Sequence, residues 1–154
     1  TSVRNIKPPT SFEKSREITP YDGGHLDVKK NNPVFSFTMD ESGWMLRPGI
    51  LYLMHIEEVL CTPKLVMSLD GRSSYARLGI VVHLTAGFAE TGFKGQYTLE
   101  VTAMHPVRIY PGICIAQVIF HTVEGTVENY QGRGTYTGEA AMGAQPSRSW
   151  KQFV

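Results

Sequence analysis

The sequence predicts a mainly β domain, built as a distorted β-barrel or two-sheet sandwich with one short helix. Short runs rich in β-branched and aromatic residues recur along the chain, and each is bounded by Gly, Pro, Asp or Ser. Stretches with helical periodicity are scarce. At 154 residues, 42% of them apolar, the chain is long enough for one cored domain and too short for two ordinary ones.

The chain divides into three parts of this domain. We expect a loop-rich N-terminal arm over residues 1–33, a β core over residues 34–125 and a flexible C-terminal lid segment over residues 126–154, called the arm, the core and the tail below. The arm has four of the nine prolines and little periodicity. Since it begins with Thr rather than Met, we expect a processed or truncated amino end. The tail is rich in Gly, Thr and Ser, a composition typical of a segment that a ligand or neighbour orders.

The core carries the predicted strands, which lie at residues 34–39, 50–60, 65–69, 80–84, 96–102 and 113–122. The predicted helix spans residues 73–78, where a Ser precedes a short helical stretch and Gly79 can end it. Two stretches, Leu-Arg-Pro-Gly-Ile at 46–50 and Ile-Tyr-Pro-Gly-Ile at 109–113, each place Pro-Gly in a type II turn before a strand. They are either equivalent corners of a two-sheet barrel or a chance similarity.

Composition narrows the classes of partner. A net charge of +1 gives no field that would attract nucleic acid or an anionic membrane. No apolar run approaches the roughly 20 residues of a membrane helix, and the opening residues do not resemble a secretory signal. We therefore expect a cytoplasmic protein with no nucleic-acid or membrane partner. The five histidines and two cysteines show no zinc-ligand spacing, which argues against a zinc-dependent nucleoside deaminase.

A short segment after the third predicted strand carries residues suited to phosphate. Gly71 lets backbone amides approach an anion, and Ser73 and Ser74 supply hydroxyls at the start of the predicted helix. Arg72 and Arg77 supply forked donors that match phosphate oxygens. On its residues alone, the segment is either a polyphosphate cradle or a capped surface helix with solvated arginines.

Alternation along the predicted strand at 96–102 separates a polar face from an apolar one. The polar face carries Gln96, Thr98, Glu100 and Thr102, and the apolar face carries Tyr97, Leu99, Val101 and Ala103. Glu100 therefore points away from the apolar side, either as a solvated carboxylate or as an acid–base group. Gln117 interrupts the apolar strand at 113–122, so its amide needs a backbone or ligand partner.

Taken in order and spacing, six segments resemble the dCTP deaminases, a branch of the dCTP deaminase and dUTPase superfamily. They are Gly71-Arg72-Ser73-Ser74, Ala76-Arg77-Leu78-Gly79, Thr85-Ala86-Gly87-Phe88, Gly92-Phe93 with Gly95, Leu99-Glu100, and Pro146-Ser147-Arg148-Ser149. The resemblance covers residues 46–123 and 146–153. It implies a dUTPase-like β-barrel assembled as a homotrimer, with active sites shared between subunits and the tail folding over bound nucleotide.

The resemblance also assigns roles. The catalytic residues that it implies are Glu100, Arg77 and Ser73, with Glu100 as the general acid and base. The implied phosphate contacts are Arg72, Ser73, Ser74, Gln117, Tyr130, Tyr136 and Arg133. The implied base and sugar pocket consists of Thr85, Ala86, Glu90 and Thr98. Mg²⁺ is expected to bind with the nucleotide triphosphate rather than to protein side chains, and no zinc is expected.

The expected reaction is hydrolytic deamination of dCTP to dUTP and ammonia. Such a reaction needs a water at C4 of cytosine, a proton on N3 and a proton on the departing amine, and one carboxylate can move all of them. One alternative is a dUTPase-like or bifunctional enzyme that forms dUMP and diphosphate. A second alternative, from another class, is a non-catalytic nucleotide-binding sensor.

Three positions depart from the family pattern. Glu90 stands where the dUTPases have the Asp of a Gly-Val-Ile-Asp motif. Thr135 and Glu139 replace the Lys and Gln that a family tail of the form Lys-Tyr-x-Gly-Gln directs at the phosphates. A carboxylate near a triphosphate is repulsive unless a cation intervenes, so we expect weaker dCTP binding than in relatives with Lys and Gln.

Overall fold

The computed structural model describes residues 2–6, 15–18, 25–131 and 134–154, the first two segments as backbone strands. The strands are β1 (Ser2–Ile6), β2 (Ser15–Ile18), β3 (Phe35–Phe37), β4 (Trp44–Leu46), β5 (Leu51–His55), β6 (Leu60–Cys61), β7 (Leu65–Gly71), β8 (Ile80–Val81), β9 (Phe88–Ala89), β10 (Lys94–Gly95), β11 (Thr98–Ala103), β12 (Val107–Ile109) and β13 (Ala116–Thr122). The helices are α1 (Ser73–Ala76) and two 3₁₀ helices, Gly138–Ala141 and Ser149–Phe153. The predicted mainly β class with one short helix is confirmed.

The strands form two larger antiparallel sheets and two small ladders. One sheet has the order β1-β13-β7-β9 and the other has the order β3-β2-β5-β11-β8, while β10 pairs with β6 and β12 pairs with β4. Over the described residues these sheets do not close into one continuous barrel. The architecture is therefore the sandwich form of the predicted fold, with an apolar core between the sheets.

Strand β11 shows how the sequence pattern orients the sheet. Burial alternates residue by residue, so that Leu99, Val101 and Ala103 are buried while the side chains between them are half-exposed. The two faces predicted for this strand are confirmed. The strand pairs with β5 on one side and β8 on the other, and Glu100 lies opposite Leu53.

The two Pro-Gly stretches occupy equivalent corners. Gly49 and Gly112 have φ angles of 79° and 74°, the left-handed conformation that the third position of a type II turn requires. The strands that lead into the corners, β4 and β12, pair with each other antiparallel. The two similar stretches therefore occupy corresponding turns, each directly after one strand of this pair.

The arm includes two strands, although its composition predicts loops. Backbone pairing joins β1 to β13, and it joins β2 to both β3 and β5. Local sequence could not show this because the partners of both strands lie in the core, far along the chain. The predicted run at 50–60 is also wrong in one respect, since Glu57 and Glu58 form a bend that separates β5 from β6.

The predicted helix is shorter than its pattern indicates. It ends at Ala76, and the side chain of Arg72 at its N-cap makes no capping hydrogen bond to the helix. Gly79, at φ 77°, turns the chain into β8. Within the described ranges there is no helix that is both long and apolar enough to cross a membrane.

Candidate active site

A pocket of about 580 Å³ opens between the five-stranded sheet, the loop after β8 and the tail. Its walls include Leu51, Leu53, Leu84, Thr85, Ala86, Phe88, Glu90, Phe93, Gln96, Tyr97, Thr98, Glu100, Tyr130, Tyr136, Gln145 and Ser147. Several predicted residues are thus brought together: Glu100, Thr85, Ala86, Glu90, Thr98, Tyr130 and Tyr136. The pocket is mostly apolar with two carboxylates, a composition typical of a site for a small organic ligand.

Glu100 is fixed at this pocket by its strand and by one hydrogen bond. The backbone N–H of Leu84 donates to Glu100 Oε2 at 3.1 Å, and the backbone N–H of Glu100 donates to the carbonyl of Val82 at 3.1 Å. The carboxylate is half-exposed. One oxygen is therefore held by the loop, which sets the orientation of the carboxylate at the pocket wall.

The segment after β8, which includes β9, contributes the second carboxylate, that of Glu90. It is fastened to β7 by a hydrogen bond of 2.5 Å from the N–H of Leu69 to the carbonyl of Gly87. At its end the carbonyl of Glu90 accepts from the N–H of Phe93 at 3.2 Å and from Thr62 Oγ1 at 3.4 Å. These bonds fix the backbone of Glu90, whose side chain is exposed at the pocket.

The tail packs along the beginning of β11 and covers one side of the pocket. The N–H of Gln96 donates to the carbonyl of Ala141 at 2.8 Å, and the N–H of Gly143 donates to Gln96 Oε1 at 2.8 Å. The N–H of Gln145 then donates to Thr98 Oγ1 at 3.0 Å. The polar face predicted for this strand therefore binds the tail at Gln96 and Thr98 and leaves Glu100 to the pocket.

Tyr136 and Arg148 close the tail upon itself. The backbone N–H of Arg148 donates to the Tyr136 hydroxyl at 2.6 Å, and this hydroxyl donates to the carbonyl of Pro146 at 3.4 Å. The Arg148 guanidinium lies 5.3 Å from the centre of the Tyr136 ring and donates to Gln145 Oε1 at 2.8 Å. The motif around Arg148 is thus folded on Tyr136, which places Ser147 at the pocket.

We expect Tyr136→Phe to loosen this closure, because it removes both hydrogen bonds of the hydroxyl while keeping the ring. The two bonds are worth about 1 kcal/mol each, so protease cleavage within residues 142–150 should be up to about 30-fold faster in the variant. Limited proteolysis with mass spectrometry measures this. Tyr110→Phe, at an exposed tyrosine outside the pocket, is the matched control, and equal cleavage rates in both variants would contradict the role given to Tyr136.

The predicted phosphate residues of the core form a second group. Arg72 Nη1 donates to the carbonyl of Cys114 at 2.9 Å, and Gln117 Nε2 donates to the carbonyl of Gly71 at 3.3 Å. Ser73 and Ser74 are exposed at the start of α1. These four residues do not line the pocket of Glu100, and Arg77 does not line it either. The group is gathered at the end of β7 beside the start of β13.

Two residues of the tail singled out by the sequence have no described side chain. Arg133 lies outside the described residues, and so does the side chain of Glu139. Tyr130 is held at the pocket by its N–H, which donates to the carbonyl of Thr91 at 2.8 Å.

Sequence reasoning missed Gln145 as a pocket residue, because its position depends on tail contacts that no local pattern reveals. Across the described ranges, there is no cluster of three or more His, Cys, Asp or Glu side chains suited to a metal ion.

Comparisons with known proteins agree on one family. A family model described as dCTP deaminase-like matches residues 10–123. A protein of Leptospira biflexa named "dCTP deaminase, dUMP-forming" is 46% identical over 137 residues, covering 89% of this chain and 77% of its own length. A protein of the same name from Hathewaya histolytica is 44% identical over 137 residues, covering 89% of this chain and 78% of its own length.

A solved structure supports the fold. The crystal structure of 2′-deoxycytidine 5′-triphosphate deaminase from Agrobacterium tumefaciens aligns with a TM-score of 0.61 at 20% sequence identity. The alignment covers 79% of this chain and 39% of that chain, so this chain spans well under half of that protein.

The relatives correct the expected reaction. Both are named for the formation of dUMP, which overturns the expectation of dUTP and ammonia as the products. The error arose because the segments that carry the resemblance identify the family, and they do not determine the fate of the triphosphate.

The predicted class of enzyme, a dCTP deaminase-like hydrolase, is confirmed by these matches. On the family model and on the identity over most of its length, the chain belongs to the dCTP deaminase-like family.

Proposed function

We propose that the protein converts dCTP to dUMP, with release of ammonia and diphosphate. The observation that carries the proposal is the presence of two carboxylates, Glu100 and Glu90, at the wall of one pocket. Two hydrolytic steps need two waters, one directed at C4 of the base and one at the α-phosphorus. The names of the relatives agree with this overall reaction. A deoxycytidine nucleotide is the proposed substrate, and the cytoplasm is the proposed compartment.

In the first step Glu100 acts as general base and then as general acid. Its free oxygen accepts a proton from the water that attacks C4 and delivers this proton to N3, where it stays. The same oxygen then takes the proton of the new C4 hydroxyl and delivers it to the departing amine, so that C4 becomes a carbonyl and ammonia leaves. The Leu84 N–H keeps Oε2 in place during these transfers. A positioned acid–base group of this kind contributes about 10²- to 10⁴-fold to the rate.

In the second step Glu90 accepts a proton from the water that attacks the α-phosphorus. The bond between the α-phosphorus and the bridging oxygen breaks, and diphosphate leaves. Glu90 stands where dUTPases carry an Asp, and the bonds from Phe93 and Thr62 to its carbonyl anchor its backbone at the pocket.

Mg²⁺ is proposed to arrive with the triphosphate. Because the described residues offer no cluster of three or more metal-binding side chains, the donor set fits a cation held mainly by phosphate oxygens and water. When bound, the ion neutralises part of the charge on the phosphates. Glu90 is the carboxylate placed to approach it.

A homotrimer with shared sites is proposed from the separation of the two groups of residues. The described lining of the Glu100 pocket includes no arginine or lysine, and the cationic donors Arg72 and Arg77 lie outside it together with Ser73, Ser74 and Gln117. Beside them, Leu78, Val81 and Met104 are exposed apolar side chains. An exposed apolar cluster next to these predicted phosphate donors is expected to be covered by a second copy, whose pocket the donors would complete.

The direct test is product analysis. The purified protein is incubated with dCTP and Mg²⁺, and nucleotides, ammonia and diphosphate are quantified over time. We expect one ammonia and one diphosphate for each dUMP formed. Ammonia without diphosphate, or no turnover of dCTP, would overturn the proposal.

Glu90→Gln is expected to separate the two steps. The amide cannot accept a proton, so diphosphate release should fall by about 10²- to 10⁴-fold while ammonia release persists and dUTP accumulates. Chromatography of the nucleotides gives both quantities from one reaction. Glu124→Gln, at an exposed glutamate outside the pocket, serves as the matched control. If dUMP remained the main product of Glu90→Gln, Glu90 would not be the base of the second step.

A further inference from the structure

The C-terminal end of the tail is bonded to the arm. Ser149 Oγ donates to the carbonyl of Val28 at 2.8 Å, a bond between residues 121 positions apart in the chain. Close to it, the Lys29 ammonium lies 5.4 Å from the centre of the Phe153 ring, within the range of a cation–π contact. Two neighbouring arm residues thus contact the first and the last residue of the 3₁₀ helix Ser149–Phe153.

The arm residues that receive the tail belong to a turn, residues 27–32, called the arm turn below. The N–H of Asp27 donates to Asn32 Oδ1 at 2.9 Å, and Asn32 Nδ2 donates to the carbonyl of Asp27 at 2.9 Å. The N–H of Lys29 donates to Asp27 Oδ1 at 3.0 Å. Because these bonds lie within the turn, the turn is ordered by its own residues and docking has to order only the tail.

The segment that leads into this 3₁₀ helix passes along the pocket. Ser147 lines the pocket, and two residues before it the N–H of Gln145 donates to Thr98 Oγ1 at 3.0 Å. Ser147 Oγ donates to Ser149 Oγ at 3.1 Å and accepts from the N–H of Ser149 at 3.3 Å. Residues 145–149, called the strap, are therefore fixed to β11 at one end and to the arm turn at the other.

We propose that the arm turn holds the strap closed at the pocket and thereby slows the exit of a bound nucleotide. The arm turn lies outside the pocket lining, so it acts on a ligand only through the strap. Without its contacts to the arm turn, the strap keeps its bond to Thr98 while its far end is released from the arm. The proposal rests on the proposed function for the identity of the nucleotide.

The test removes one contact at a time, with Ser149→Ala for the hydrogen bond and Lys29→Ala for the cation–π contact. Hydrogen exchange with mass spectrometry follows the amides of residues 146–154 in the ligand-free protein. Each variant makes opening of the strap easier by the strength of one contact. We therefore expect exchange to be about fivefold faster in Ser149→Ala and about two- to fivefold faster in Lys29→Ala, with the amides of β11 unchanged.

The second measurement follows the nucleotide itself. In a turnover-blocked Glu100→Gln background with Mg²⁺, both variants should release radiolabelled dCTP into an excess of unlabelled dCTP faster, by factors similar to those for exchange. Lys30→Ala is the matched control, because the Lys30 ammonium lies 3.8 Å from Asp27 Oδ2 within the arm turn and not on the tail. It should leave both rates as they are in the parent protein.

The two measurements separate the possible failures. Exchange rates in both variants equal to those of the wild type, or an equal rise in Lys30→Ala, would overturn the docking of the strap on the arm turn. Faster exchange with an unchanged rate of dCTP release would overturn its effect on the nucleotide. Failure of the wild-type protein to bind dCTP would instead overturn the proposed function, and the exchange rates would then decide the docking by themselves.

Discussion

Glu100→Gln is expected to reduce ammonia release from dCTP by about 10²- to 10⁴-fold, with nucleotide binding retained. The substitution keeps the size of the side chain but removes the group that moves protons between water, N3 and the amine. In the variant, the amide oxygen of the new side chain can accept the hydrogen bond that the Leu84 N–H donates to Glu100 Oε2 in the wild type. The structure of the pocket should therefore persist. Steady-state ammonia release and calorimetric dCTP binding measure the two effects separately.

Glu124→Gln is the matched control for this experiment, because Glu124 is exposed and outside the pocket. It should retain wild-type turnover. A Glu100→Gln variant that kept activity within about tenfold of the wild type would remove Glu100 from the catalytic role, since that loss is smaller than an acid–base group contributes. A variant that lost dCTP binding instead would make Glu100 a binding residue.

Mixing two inactive variants should restore activity if the sites are shared between subunits. Arg72→Ala should lose about 10²-fold in turnover through its phosphate contact, and Glu100→Gln loses the acid–base group. In trimers reassembled from equal amounts of both, each site takes its carboxylate from one subunit and its arginine from the next. Roughly a quarter of the sites then contain both native residues, so turnover should approach a quarter of the wild-type value.

Subunits of the two variants are mixed under conditions that exchange them, and turnover is measured against each variant alone. Ser73→Ala replaces Arg72→Ala in a second mixture, because Arg72 also bonds to the carbonyl of Cys114 and its loss could disturb the fold. Activity in both mixtures no higher than the average of the separate variants would contradict the shared site and place both groups within one chain.

Much of the site could be predicted because strand periodicity is a strong constraint. The alternation over 96–103 placed Glu100 on the exposed side of β11, and the structure has it there. The ordered segments around Thr85 and Glu90 identified the loop that closes the pocket. Such features depend on neighbouring residues, so a single sequence is sufficient to reveal them.

Features that depend on distant contacts could not be predicted. The strands of the arm form only because β13 and β5 offer free edges to them. The contacts of Gln145 and Arg148 with Thr98 and Tyr136 link parts of the chain whose spacing carries no pattern. The separation of Gln117 and Ser73 from the pocket is likewise a property of the three-dimensional fold. The product was also mispredicted, because the segments that carry the family resemblance do not determine whether the triphosphate is cleaved.

The most direct test of the central claim asks whether one pocket carries out both steps. The protein is given radiolabelled dCTP together with an excess of unlabelled dUTP, and the label in each nucleotide is followed before the dCTP is consumed. Conversion within one pocket predicts that the label passes into dUMP while the free dUTP pool stays unlabelled. Accumulation of label in dUTP would contradict the account, because it would show that deamination ends with release of the triphosphate.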